Sequence, residues 1–98
     1  MIKVKTKSGF TCNVNENKLK DWRYISAAAN ATRKDGADAL VDVVFMIDFL
    51  LGKEDLERLV EHVTDKEGIA DSVRIQQEFE EITTLMGEEL KKSTPSPE

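Results

Sequence analysis

Polar and apolar positions alternate over the first fourteen residues and then change period. Ile2, Val4 and Thr6 interleave with Lys3, Lys5 and Lys7, and Phe10, Cys12 and Val14 interleave with Thr11, Asn13 and Asn15. A period of two marks strands with one buried face. Pairing Thr6 with Phe10, Val4 with Cys12 and Ile2 with Val14 puts all six on one side. It also leaves Lys7-Ser8-Gly9 as a three-residue turn whose last position favours positive φ, which Gly9 supplies. Two strands alone are marginal in water, so the apolar face has to rest on helices.

From Asn15 onward the period is that of helices. Asn15 or Asn17 caps a helix over about 16–33, with a stripe of Leu19, Trp22, Ile25, Ala28/Ala29 and Thr32. Lys34-Asp35-Gly36 is a turn. The second helix, 38–51, holds the run LVDVVFMIDFLL, polar only at Asp42 and Asp48, and Gly52 stands where a left-handed cap ends it. That run is too short to cross a bilayer, which needs roughly 18 or more apolar residues. The third helix, 54–64, buries Leu56, Leu59, Val60 and Val63, with Glu54, Arg58 and His62 on a solvated stripe. Asp65-Lys66-Glu67-Gly68 turns the chain into a fourth helix, 72–91, capped by Asp71 or Ser72. It carries Ile75, Phe79, Ile82, Met86 and Leu90, and Gly87 is expected to interrupt it. The polar tail, 93–98, with two prolines, is expected to be disordered.

The expected fold is therefore α+β and mainly α: an N-terminal β-hairpin (2–14) packed on a small bundle of about four helices. It forms a single domain over 1–92 with Trp22 and Ile47 in its core.

The second helix has more apolar faces than one core requires. Leu40, Val43, Val44, Ile47, Leu50 and Leu51 make one wide face, and Val41, Phe45 and Phe49 lie off its centre. Either the hairpin and first helix cover both sides, or a strip remains for a partner. Residues two apart on a helix point about 200° apart, so Tyr24 faces away from Trp22. Tyr24, Val41, Phe45 and Phe49 are thus the candidate partner-binding residues. Should those be core, Phe79 and Met86 are the second choice.

Composition narrows the chemistry. At 98 residues the chain holds one modest core. A net charge of -5 argues against a phosphate-binding or nucleic-acid-binding surface and favours partners with basic segments. The single Cys12, on the inward face of a strand, allows no internal disulfide and reads as a small hydrophobe. His62 is the lone histidine, and no metal-ligand set accompanies it. The acidic groups around Glu54 and Glu78 read as solvated helix faces, and the glycines fall at turns without forming a phosphate loop. No paired base and nucleophile is visible, so neither an enzyme nor a cofactor is expected. Without an apolar leader near the N-terminus, the expected compartment is the cytoplasm.

The order of these features resembles the small tail assembly chaperones of long-tailed phages and Gram-positive prophages. The similar elements run along nearly the whole chain. They are a lysine-rich first strand with its Lys7-Ser8-Gly9-Phe10 turn, Asp21-Trp22 early in the first helix, and an apolar helix ending in Leu50-Leu51-Gly52. An acidic helix follows, then the turn 65–68, a last helix with Glu80-Glu81-Ile82, and a Lys91-Lys92-Ser93 tail. Thr83, where the family often has an aromatic residue, and Gly87 depart from the pattern. The resemblance implies a non-enzymatic assembly factor of the host cytoplasm. It would bind the tape measure protein and keep it soluble while tail tube subunits polymerise around it. The tail tube protein and a second copy of the chain are further candidate partners. The family also commonly makes a longer product by translational frameshift, and Lys91-Lys92 is the position where codons permitting a slip would lie. A different class of function, an acidic inhibitor or adaptor mimicking nucleic acid against a host defence or transcription protein, needs carboxylates over one broad face. Here Lys53 and Arg58 interleave with Glu54, Asp55 and Glu57.

Overall fold

A computed structural model describes residues 1–93; most of the 93–98 tail expected to be disordered lies outside the described residues. The chain is α+β and mainly helical. Strands β1 (Ile2–Lys5) and β2 (Thr11–Val14) form an antiparallel hairpin, followed by a 3-10 turn (Glu16–Lys20) and three helices. These are α1 (Trp22–Arg33), α2 (Gly36–Val63) and α3 (Ser72–Ser93).

The hairpin has the register that its alternation dictates. Ile2 pairs with Val14 and Val4 with Cys12. The Thr6 N–H donates to the Phe10 carbonyl at 2.9 Å, and Gly9 closes the turn at φ 95°. All six inward residues are buried, Thr6 included, because its hydroxyl accepts from the Phe10 N–H. Beneath them lie Leu50, Leu51, Leu59 and Val63 of α2 and Phe79, Ile82 and Met86 of α3.

The expected first helix is two elements. Asn15 caps only the 3-10 turn, through a bond from the Asn17 N–H. Asp21 then adopts an extended conformation and caps α1, accepting from the Arg23 N–H at 2.8 Å. This break resets the helical phase, and it corrects the expected placement of Trp22. Leu19 still packs against the core, but Trp22 is 76% exposed and Ile25 is exposed with it. The face that α1 turns inward carries Tyr24, Ala27 and Ala31, one turn apart, with Ala27 buried.

Helices two and three of the expected four follow one another with no loop between them: residues 36–51 and 53–63 are helical and meet at the non-helical Gly52, and taken together as the kinked element α2 they bring the helix count to three. Gly52 has φ 83° and ψ 164°, a region essentially restricted to glycine rather than the left-handed helical cap. α3 is capped by Asp71 through the Val73 N–H and runs unbroken through Gly87, against the expected interruption. The extents of 53 × 31 × 19 Å describe a flat, elongated molecule with much surface per buried residue. The projecting part is an antiparallel pair of helices, α1 and residues 36–51. It is held by Tyr24 stacked on Phe49 at one end and by Lys34 paired with Asp42 at 3.0 Å at the other.

Candidate partner-binding surface

The exposed apolar residues gather on that helix pair. Val41 is 69% exposed, Val44 55% and Phe45 41%, while Ile47, in the same helix, is buried as expected. Helical geometry explains the split. α1 covers one flank of residues 36–51, the hairpin and α3 cover a second, and the flank carrying Val41, Val44, Phe45 and Asp48 meets neither.

The six candidate residues separate accordingly. Val41 and Phe45 are a surface ridge. Phe49 is half-buried between Tyr24 and Phe45, with ring centroids 6.5 and 5.7 Å away. The guanidinium of Arg23 stands 5.0 Å above its ring and the Lys18 ammonium 5.8 Å from it, so cations cap this aromatic stack. Arg23 is fixed by both oxygens of Asp21, and these bonds hold the Asp21 carboxyl below its usual pKa. Tyr24 is half-buried, and burial raises its hydroxyl pKa. Phe79 and Met86 are core residues under the hairpin and offer no surface, because α3 turns that stripe toward β1 and α2.

Beside the ridge lies a concavity that no single stretch of sequence reveals. A groove of about 250 Å³ is lined by Leu40, Val43, Val44 and Ile47 before Gly52, by Leu56 and Val60 after it, by Ala70 just before α3, and by Ser72, Ile75 and Gln76 at its start. The periodicity of 54–64 marked Val60 as buried; it is exposed, on the groove wall. The helix-breaking glycine was the available signal, since a bend brings the two halves of an apolar helix face toward each other.

A polar cluster sits at the other end of the molecule. Ser8 Oγ lies 2.8 Å from Glu78 Oε2, 3.0 Å from His62 Nε2 and 3.1 Å from Thr6 Oγ1. This Ser–His contact was invisible in the sequence, where 54 residues separate the two. A nucleophilic serine would give its proton to the imidazole, with an acid holding the second ring nitrogen. Here the hydroxyl's strongest acceptor is the Glu78 carboxylate, and His62 Nδ1 has no partner among the described residues. The arrangement is that of a clamp: it fixes the hairpin turn, which the Lys7 N–H also ties to Glu81 at 2.8 Å. Arg58 adds to it by pairing with Asp55 rather than with Glu54, by donating to the Thr11 carbonyl and by lying 5.2 Å over the Phe10 ring. Cys12 is buried beneath, its pKa pushed up to about 11, chiefly by desolvation and further by Asp55.

Among the described residues no group of three or more His, Cys, Asp or Glu side chains is placed to hold a metal ion, and no helix is long and apolar enough to cross a membrane. Comparison with protein-family models, with curated proteins and with solved structures finds no match to this chain.

Proposed function

We propose that this chain is a tail assembly chaperone of a long-tailed phage or prophage, binding the tape measure protein in the host cytoplasm and keeping it soluble until tail tube subunits assemble around it. The family resemblance supplies the client. The observation that supports a client-binding role is the uncovered ridge of Val41, Val44 and Phe45 beside an apolar groove, on a helix pair that projects from an otherwise well-packed body. A tape measure is long, mostly helical and striped with apolar residues, so a ridge and groove of this kind would mask its stripes. The acidic surface would speed encounter with basic stretches. The modest size of the patch suits binding weak enough for tube subunits to displace.

The test is co-expression. Val41→Ser with Phe45→Ser should leave the chaperone folded with a modestly lowered unfolding temperature, because Val41 is mostly solvated while Phe45 is partly covered by its stack on Phe49, and should send the tape measure protein into the insoluble fraction. A client that stays soluble with this double variant overturns the assignment of the ridge. A gene neighbourhood lacking both a tail tube gene and a very long reading frame overturns the tail function itself.

A further inference from the structure

The groove exists because the chain turns at Gly52. Leu40 and Val44 come from before the turn, Val60 from after it and Ile75 from α3. In an unbroken helix Val44 and Val60 would stand about 24 Å apart along the axis, at 1.5 Å per residue. At Gly52 the backbone leaves helical geometry, and both side chains line one groove of about 250 Å³.

The lining decides the conformation of an occupant. Ser72 and Gln76 carry the only polar side chains in it. An extended peptide would lay N–H and C=O groups against a wall unable to satisfy them, at a cost of about 1–3 kcal/mol for each one buried. A helix arrives with its backbone hydrogen bonds made and presents side chains alone. The apolar lining continues along α2 through Ala37, Leu40 and Val41 into a second depression of about 280 Å³. Residues 37–47 cover about 15 Å of helix, which accommodates roughly three turns of a partner helix with anchors at i, i+4 and i+7.

The rim decides its charge. Asp38 lies one turn before Val41, Asp48 one turn after Val44, and Glu57 one turn before Val60. All three are exposed and without an ion-pair partner among the described residues. Lys53 and Arg74, the latter between the lining residues Ser72 and Ile75, are the neighbouring cations, and Asp71 beside Ser72 adds a fourth carboxylate. The excess of carboxylate favours an occupant with basic residues beside its apolar anchors. A second copy fits poorly, since a chain of net charge -5 presents carboxylates such as Glu80 and Glu88 on the outer face of α3.

We infer that the groove takes a single amphipathic helix of about three turns, with Lys or Arg flanking its apolar stripe. This inference rests on the client-binding reading and specifies the segment of client that would be bound.

Three synthetic peptides of about 15 residues test it, each with leucines at helical spacing. One has lysines beside the leucines, one has glutamates there, and the third is the lysine peptide with a central proline. Titrated into the intact chain at low salt, the lysine peptide should bind, and the other two at least tenfold more weakly. Val44→Asp and Val60→Asp should each weaken the lysine peptide at least tenfold while leaving circular dichroism and thermal unfolding near wild type. Equal binding of the lysine and glutamate peptides overturns the proposal, as does undiminished binding of the proline peptide or by Val60→Asp. Self-association of the chain that Val60→Asp abolishes would give the groove to a second copy and also overturn it. The two readings fail separately. A tape measure protein held equally well by Val60→Asp and wild type removes the groove but leaves the chaperone. A lysine peptide bound in the groove by a chain that holds no tail protein removes the tail function but leaves the groove.

Discussion

Ser8 Oγ donates to Glu78 Oε2 at 2.8 Å and so joins the hairpin turn to α3 across 70 residues of chain. Glu78 is buried, and its other oxygen, Oε1, makes no hydrogen bond among the described residues. Ser8 is therefore the partner that keeps a buried carboxylate tolerable. Ser8→Ala should cost about 1–3 kcal/mol, the penalty for leaving a buried acceptor unmet. The same change made on a Glu78→Leu background should cost less than half as much, since no carboxylate is then stranded. Urea denaturation of the four proteins in this cycle measures the coupling; additive effects would show that the two side chains act independently.

Trp22 is the only tryptophan and is largely solvated. Its fluorescence should peak near the value of free tryptophan in the folded chain, shift little on unfolding and be readily quenched by acrylamide. Trp22→Ser should change stability by no more than about 0.5 kcal/mol, the range for surface positions. A blue-shifted, protected emission would place Trp22 against protein and contradict the orientation of α1.

These two residues mark what the amino-acid pattern could and could not convey. The hairpin was legible because three constraints agreed: a period of two, a glycine at the turn, and a register that puts Ile2, Val4, Thr6, Phe10, Cys12 and Val14 on one side. A one-residue slip would have put the two arms' apolar sets on opposite faces and turned three of the six to water. The face of α1 was not legible, because counting helical turns from Leu19 assumes an unbroken helix. Asp21 ends a 3-10 turn and starts a new helix, so the stripe carried forward to Trp22 points outward. Size misled as well: the contact with α2 is made through small Ala27 and through Tyr24, while the bulkiest side chain is left outside. For the candidate site, the surplus of apolar faces on 40–51 was readable, but whether Val41 and Phe45 were covered or left exposed was not, because that depends on where α1 and the hairpin pack. The groove was not, because its walls come from both sides of Gly52 and from α3, and no local period encodes that meeting.

Cys12 makes stability depend on pH at the alkaline end. Burial, with Asp55 nearby, raises its thiol from the ordinary 9.0 to about 11 in the folded chain. A group whose folded pKa is raised stabilises the fold fully below its unfolded pKa and loses that contribution as pH climbs through the folded one. The loss should therefore fall between about pH 9 and pH 11 and amount to roughly 2–3 kcal/mol, at 1.36 kcal/mol per unit. Cys12→Ala should be less stable at pH 8, because it removes buried atoms, and should show a flatter decline over that window. Denaturation midpoints at pH 8 and pH 10.5 for both proteins check this; parallel declines would assign the alkaline loss to other groups.

Gly52 and Gly87 should respond to the same substitution with opposite signs. A methyl group at either position meets open space, with no atom within 4 Å, so packing does not decide the outcome. Backbone conformation does. Gly52 sits at φ 83° and ψ 164°, where an L side chain is strained by about 1–3 kcal/mol. Gly87 lies inside α3 in ordinary helical geometry, where glycine costs about 0.5–1 kcal/mol relative to alanine through the freedom it has in the unfolded chain. Gly52→Ala should accordingly lower the urea midpoint, and Gly87→Ala should raise it. Relief of the strain at Gly52 requires the chain there to leave its bend and move Val60 away from Val44, so the first variant should also lose affinity for a helical peptide at the groove. The second, remote from that surface, should bind it as wild type does. A Gly52→Ala variant that holds or raises the midpoint would show that α2 is not bent at Gly52 in solution, and a Gly87→Ala variant that lowers it would show that glycine is needed there for another reason.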